Sequence, residues 1–225
     1  MTFSIVARCA GSGRFGVAVT SSSPAVAARC AFVRAGTGAV ASQNVTDPRL
    51  GPAVLDAMAA GHSATDAVDM VIAGAGNTGW RQLLAVDAAG GTAIFSGDHT
   101  LGINAQTRAP DVAVAGNLLA SPKIPEAVLE GFTMSDGDLG DRLMAALFAG
   151  VEAGGEAGPL HSAGMLIADA ESWPLVDLRC DWTEDCPIRT LDAAWQVYRP
   201  QMHDYVTRAL DPSASPSFGV AGDDR

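Results

Sequence analysis

The sequence of 225 residues predicts an α+β protein, a layered sandwich of antiparallel sheets and helices. Three observations predict it. Short apolar segments come in adjacent pairs joined by Gly-rich turns, which is hairpin spacing rather than βαβ spacing. Ala-rich helical segments also come in pairs. No composition break or internal repeat separates these blocks, so one domain over 1–210 is expected, followed by a flexible tail, 211–225.

The elements follow in order. FSIVARC alternates apolar and polar residues, and FGVAVTSS resumes after GSGR, so the opening reads as a hairpin. FVRAGTGAVASQ, residues 32–43, reads as one strand interrupted by glycines. GPAVLDAMAAG (51–61) and SATDAVDMVIAGA (63–75) are periodic and read as two helices. Ser63 is placed as N-cap, with Asp66 three residues on completing a weak capping box. RQLLAVDAAGGTAIFSG (81–97) is a second hairpin turning at Ala89-Gly90-Gly91, and DVAVAGN (111–117) is a short strand. Two further helices are placed at about 122–133 and 138–153, and a third strand pair at 162–180. The closing helix, 190–210, is expected to bend or break at Pro200. DPSASPSFGVAGDDR is rich in Pro, Ser and Gly and acidic, as flexible tails are.

GSGRFG fits the GxGxxG pattern of nucleotide-binding loops. A dinucleotide site, however, needs a helix after the glycines to hold the pyrophosphate. Here the β-branched run VAV follows. Gly11, Gly13 and Gly16 therefore read as turn glycines, and no cofactor is expected.

The formal charge is −11 and the pI about 4.6. Such a surface repels phosphate backbones, so nucleic acid is not an expected partner. No apolar run reaches the length of a membrane span, and no basic-then-apolar leader opens the chain. No membrane partner is expected, and the cytoplasm is the expected location. None of Cys9, Cys30, Cys180 and Cys186 forms a CxxC pair; they read as free thiols. His62, His161, His203 and the Asp98-His99 step show no ligand spacing, so no metal is expected.

The blocks TFSIVAR, GRFGVAVTSS, RAGTGAVASQ, GPAVLDAMAAG, FSGD, VAGNLLASP, HSAGMLIAD and VDLR occur in one order over about residues 2–200. In this the chain resembles the domain of unknown function 1028 family. That family is usually placed in the N-terminal-nucleophile hydrolase superfamily. The resemblance implies a four-layer αββα sandwich, with two antiparallel sheets flanked by helices. It also implies hydrolysis of an amide or related C–N bond of a small molecule.

That chemistry needs Thr, Ser or Cys at the mature N-terminus. The side-chain oxygen attacks a carbonyl, and the free α-amine takes the proton. An α-amine with a pKa near 7.7–8.0 is partly neutral at physiological pH and can act as base. Removal of Met1, permitted by the small residue after it, would expose Thr2 in that role. Ser22, in Ser21-Ser22-Ser23, is the alternative internal nucleophile; a polar turn before Pro24 is the structural alternative.

Proteasome-type relatives carry a lysine near the nucleophile. This chain has thirteen arginines and the single lysine Lys123. Arg29 and Arg34 fall in the corresponding region and suit a carboxylate or an oxyanion, though not proton transfer. Gln43, Asn44 and Asn117 end strands and are candidate amide donors to an oxyanion or substrate; helix entry and turn roles are open for each. A non-catalytic binding or assembly protein on the same fold is the rival class. Self-association as a homodimer is compatible with the Ala/Gly-rich composition.

Overall fold

A computed structural model describes residues 1–223. The opening hairpin forms as β1 (Thr2–Arg8) and β2 (Phe15–Ser21), paired antiparallel with Ile5 opposite Ala18. A short helix α1 (Ala27–Cys30) follows, then β3 (Ala31–Arg34) and β4 (Gly38–Asn44). Residues 32–43 are thus two strands and not one interrupted strand. Gly36, at φ +65°, takes the left-handed turn that lets the chain double back. Helices α2 (Leu50–Ala59) and α3 (Ala64–Gly74) come next, with Asp66 N–H donating to Ser63 Oγ at 3.1 Å.

The second expected hairpin is β5 (Arg81–Asp87) and β6 (Thr92–Ser96). It is followed by β7 (Ala105–Ala109), which the sequence reading omits, and β8 (Val112–Asn117). AQTRA in β7 turns only Ala105, Thr107 and Ala109 inward, half-buried and without a large apolar side chain, because it is the outermost strand of its sheet. The rest is α4 (Ile124–Thr133), α5 (Leu139–Glu152), β9 (Ser162–Ala168), β10 (Val176–Cys180), α6 (Pro187–Tyr198) and α7 (Met202–Leu210). A single 3₁₀ turn containing Pro200 separates α6 from α7, because proline cannot donate the helical hydrogen bond. Beyond α7, Phe218 packs under the Arg208 guanidinium, 3.8 Å from its ring centre. Residues 224–225 of the expected tail lie outside the described residues.

The strands form two antiparallel sheets. One has six strands in the order β10-β9-β2-β1-β8-β7, the other four in the order β3-β4-β5-β6. Three hydrophobic layers hold four layers of structure together. Phe3, Ile5, Leu143, Leu147 and Trp195 join the larger sheet to α4, α5 and α6. Val6, Val17, Val19, Leu84 and Val86 fill the space between the sheets. Val40, Val54, Leu55, Val68 and Leu83 join the smaller sheet to α2 and α3. The order is αββα. Among the described residues no helix is long and apolar enough to cross a membrane.

Strand alternation positions the site. On β1, Phe3, Ile5 and Ala7 face the helices, so Thr2, Ser4 and Val6 face the other sheet. The same alternation turns Gln43, Gln82 and Asn117 into the inter-sheet space. One end of that space is therefore apolar, around Val6 and Val86. The other end is polar and begins at Thr2.

Candidate active site

Thr2 opens β1, the strand flanked by β2 and β8, opposite Ser21 on one side and Asn117 on the other. It is buried, at 5% exposure. Its hydroxyl donates to the Met1 carbonyl, and Ser21 Oγ donates to the same oxygen. The two hydroxyl oxygens are 3.3 Å apart.

Behind Ser21 runs a chain of donors. Ser23 Oγ lies 2.8 Å from Ser21 Oγ, and the Ser23 N–H donates to Ser21 Oγ at 3.1 Å. Arg29 Nη2 donates to Ser23 Oγ at 2.7 Å. Since Ser21 gives its proton to Met1, it accepts from Ser23, and the guanidinium polarises the row. The turn that carries these serines is pinned from β9. Ser162 Oγ donates to the Ser23 carbonyl at 2.6 Å and accepts from Val26 N–H at 3.2 Å.

Glu156 closes the opposite side. It sits in the Gly-rich loop after α5 and is 6% exposed. One carboxyl oxygen accepts from the Ser22 N–H at 3.2 Å; the other is buried with no hydrogen-bond partner among the described residues. Burial pushes its pKa up to about 8, against the pull of the N-terminal amine and of Ser22. His161 forms a further wall. Its N–H donates to the Ser21 carbonyl at 2.9 Å, and its ring stacks on the half-exposed Trp182 with ring centres 4.3 Å apart.

Beneath Thr2 a buried amide network ties the sheets together. Ser4 Oγ donates to Gln43 Oε1 at 2.7 Å. Gln43 Nε2 donates to Gln82 Oε1 at 2.7 Å and to the Ala115 carbonyl at 3.1 Å. Asn117 Nδ2 also donates to Gln82 Oε1, at 3.2 Å. Both Gln43 N–H bonds are thereby committed, so Gln43 serves as a fastener between the sheets and not as an oxyanion donor.

The expected site residues thus divide. Thr2, Ser22, Arg29 and Asn117 meet at the polar end of the sandwich. Gln43 lies one layer below. Asn44 is half-buried and clamps two loops, donating to the Trp80 carbonyl at 2.7 Å and accepting from Leu101 N–H at 3.2 Å. Arg34 lies elsewhere. It pairs with Gly38, five residues along β4 from Gln43, or about 17 Å at 3.3–3.4 Å per residue. There it forms an exposed ion pair with Asp56 at 2.7 Å. Grouping it with Arg29 fails because β3 runs from one end of the sheet to the other.

Sequence reasoning omits Glu156 and Gln82. An acidic residue between glycines is an ordinary loop feature, and its partner Ser22 lies 134 residues away. Only the alternation of β5, extended to its first residues, marks Gln82 as inward-facing.

Residues 2–191 match the model of a family of unknown function, DUF1028. The chain belongs to that family. A crystal structure of a DUF1028 protein from Silicibacter pomeroyi overlays on it with a TM-score of 0.82 at 32% identity, covering 88% of each chain. Two Anbu (ancestral beta-subunit) structures overlap far more weakly. The one from Yersinia bercovieri has a TM-score of 0.39 at 11% identity, covering 89% of this chain and 96% of its own. A mutant from Hyphomicrobium sp. strain MC1 has 0.40 at 13%, covering 90% and 97%. Overlaps this weak carry no argument about a DUF1028 chain. Among curated proteins none matches the sequence.

Proposed function

We propose that this DUF1028 protein is an N-terminal-nucleophile hydrolase, cleaving a small-molecule amide with Thr2 once Met1 has been removed. The observation that carries the reading is the pair of hydroxyls, Thr2 Oγ1 and Ser21 Oγ, on one carbonyl oxygen at the polar end of the inter-sheet space.

The steps balance on this chain's own groups. With Met1 gone, the Thr2 amine accepts the proton of its own hydroxyl, and Oγ1 bonds to the substrate carbonyl carbon. The developing oxyanion accepts from Ser21, whose hydroxyl is polarised through Ser23 by Arg29. Collapse breaks the C–N bond, and the leaving amine takes the proton from the Thr2 ammonium. Water then attacks the Thr2 ester, again with the amine as base, and releases a carboxylic acid. With Met1 attached, the Thr2 nitrogen is a peptide nitrogen and cannot accept a proton.

The test is intact mass and N-terminal sequencing, followed by labelling with an acylating β-lactone. The expected result is loss of one methionine and an adduct on Thr2 that Thr2→Ala abolishes. Retained Met1, or equal labelling of Thr2→Ala, overturns the reading.

A second reading is favoured by one contact. The Ser22 N–H donates to Glu156 at 3.2 Å, which places this buried carboxyl beside Ser22; in its ionised form, which grows as pH rises through about 8, it is the base the Ser22 hydroxyl would use. An adduct that survives Thr2→Ala and is lost in Ser22→Ala selects it.

A further inference from the structure

Met1 is held at two points, and its amine stands near a third group. Its carbonyl oxygen accepts from Thr2 and Ser21. Its amine lies near enough to Glu156 to pull that carboxyl's pKa down. Its terminal methyl lies over Gly158, where a Cβ would come within 2.8 Å of it. The carbonyl and the unbranched apolar side chain thus each meet a matching group of the protein, and the amine lies on the side of Glu156 without pairing with it among the described residues.

From this we infer that Met1 occupies the acyl subsite, and that the processed site takes a small aminoacyl compound whose free amine is bound by Glu156. The inference rests on the Thr2 reading and adds the substrate class.

Glu156 carries it furthest. Its second carboxyl oxygen is buried and unpaired among the described residues, and buried polar atoms are nearly always paired. Ser22 N–H satisfies the other oxygen, so the free one is available to a ligand. An ammonium group supplies the missing donor and compensates a buried charge. Gly158 supplies the second specification. Without a side chain it leaves room for the ligand's apolar chain, which a β-branched residue there would fill.

The test is a pair of probes, L-methioninamide and N-acetyl-L-methioninamide, titrated by calorimetry against processed Thr2→Ala protein. Using this variant separates recognition from turnover. L-Methioninamide is expected to bind at least about tenfold more tightly than the acetylated probe. That preference disappears in Thr2→Ala/Glu156→Gln, and binding of both probes weakens in Thr2→Ala/Gly158→Val. Protein prepared with Met1 retained binds neither. Equal binding of the two probes, no binding of either, or a preference that survives Glu156→Gln overturns the inference. None of these outcomes alters the β-lactone result on Thr2, so failure of the substrate class and failure of the nucleophile are read separately.

Discussion

Arg29 reaches Ser23, with Nη2 2.7 Å from Oγ, and through Ser23 and Ser21 it acts on the carbonyl that Thr2 also touches. A guanidinium two hydroxyls away from the Met1 carbonyl cannot transfer a proton, but it raises the donor strength of the last hydroxyl. It also donates to the Ala25 carbonyl at 2.9 Å, which holds the serine turn in place.

Arg29→Met is therefore expected to slow β-lactone labelling of Thr2 by about tenfold to a hundredfold, on the scale of one lost charge-assisted hydrogen bond of ~1.5–3 kcal/mol. Arg29→Lys recovers part of the rate. A labelling time course by intact mass checks this. An unchanged rate in Arg29→Met removes the relay.

Arg34 supplies the contrast. Its ion pair with Asp56 is exposed on both sides, 40% and 70%, and surface pairs contribute about 0–1 kcal/mol. Arg34→Ala should leave the labelling rate within about twofold of the parent and shift the melting temperature little. A large loss of labelling would mean that Arg34 acts at the site by a route its position does not provide.

Glu156 makes stability depend on pH. Its folded pKa, about 8, stands above the ordinary glutamate value of 4.5 because burial disfavours the charged form. Between those values the folded state holds a proton that the unfolded state has released. The contribution to stability is thus fully present below about 4.5 and is lost as pH rises through about 8. The expected result is a melting temperature that falls by several degrees from pH 5 to pH 9. Glu156→Gln, which has no charge to bury, flattens that slope. Parallel slopes in calorimetric scans of the two proteins would refute it.

Gly150 sets how closely α5 approaches β1. A Cβ there would lie 2.7 Å from both Phe3 Cε2 and Val128 Cγ2. Phe3 is fully buried and adjacent to Thr2, so the overlap cannot be relieved by turning a side chain into solvent. Gly150→Ala is expected to cost about 1–3 kcal/mol, the usual range for overpacking. At roughly 2–4 °C per kcal/mol for a chain of this size, the melting point falls by several degrees. Denaturant unfolding with an unchanged m-value would attribute the loss to the native packing.

Legibility differed by element. Hairpins with a Gly-rich turn between β-branched runs, such as β1–β2 and β5–β6, were readable because their local signals agree. The Gly36 turn was not separated from its flanks because AGTG resembles an interruption as much as a reversal. β7 is hard to detect because its inward positions, Ala105, Thr107 and Ala109, are only half-buried and carry no large apolar side chain, so the alternation is weak. At the site, Thr2 and the serines were readable from chemistry at the chain start and at the end of β2. Arg34 is grouped with them because it falls in the region where proteasome-type relatives carry a lysine, and the antiparallel course of β3 and β4 separates it from them.

By itself the sequence determined the paired strands, the paired helices, the break at Pro200 and a threonine placed second. Those follow from local periodicity, turn chemistry and residue type, which act over a few positions. Tertiary structure decided what surrounds that threonine. Ser21 meets it across a hairpin, Asn117 across a strand pairing, and Glu156 from a loop more than a hundred residues away. These neighbours are set by which strands pair and which faces are buried, and burial is also what shifts the Glu156 carboxyl. No local pattern carries that information, because the groups come together only when the two sheets close on each other.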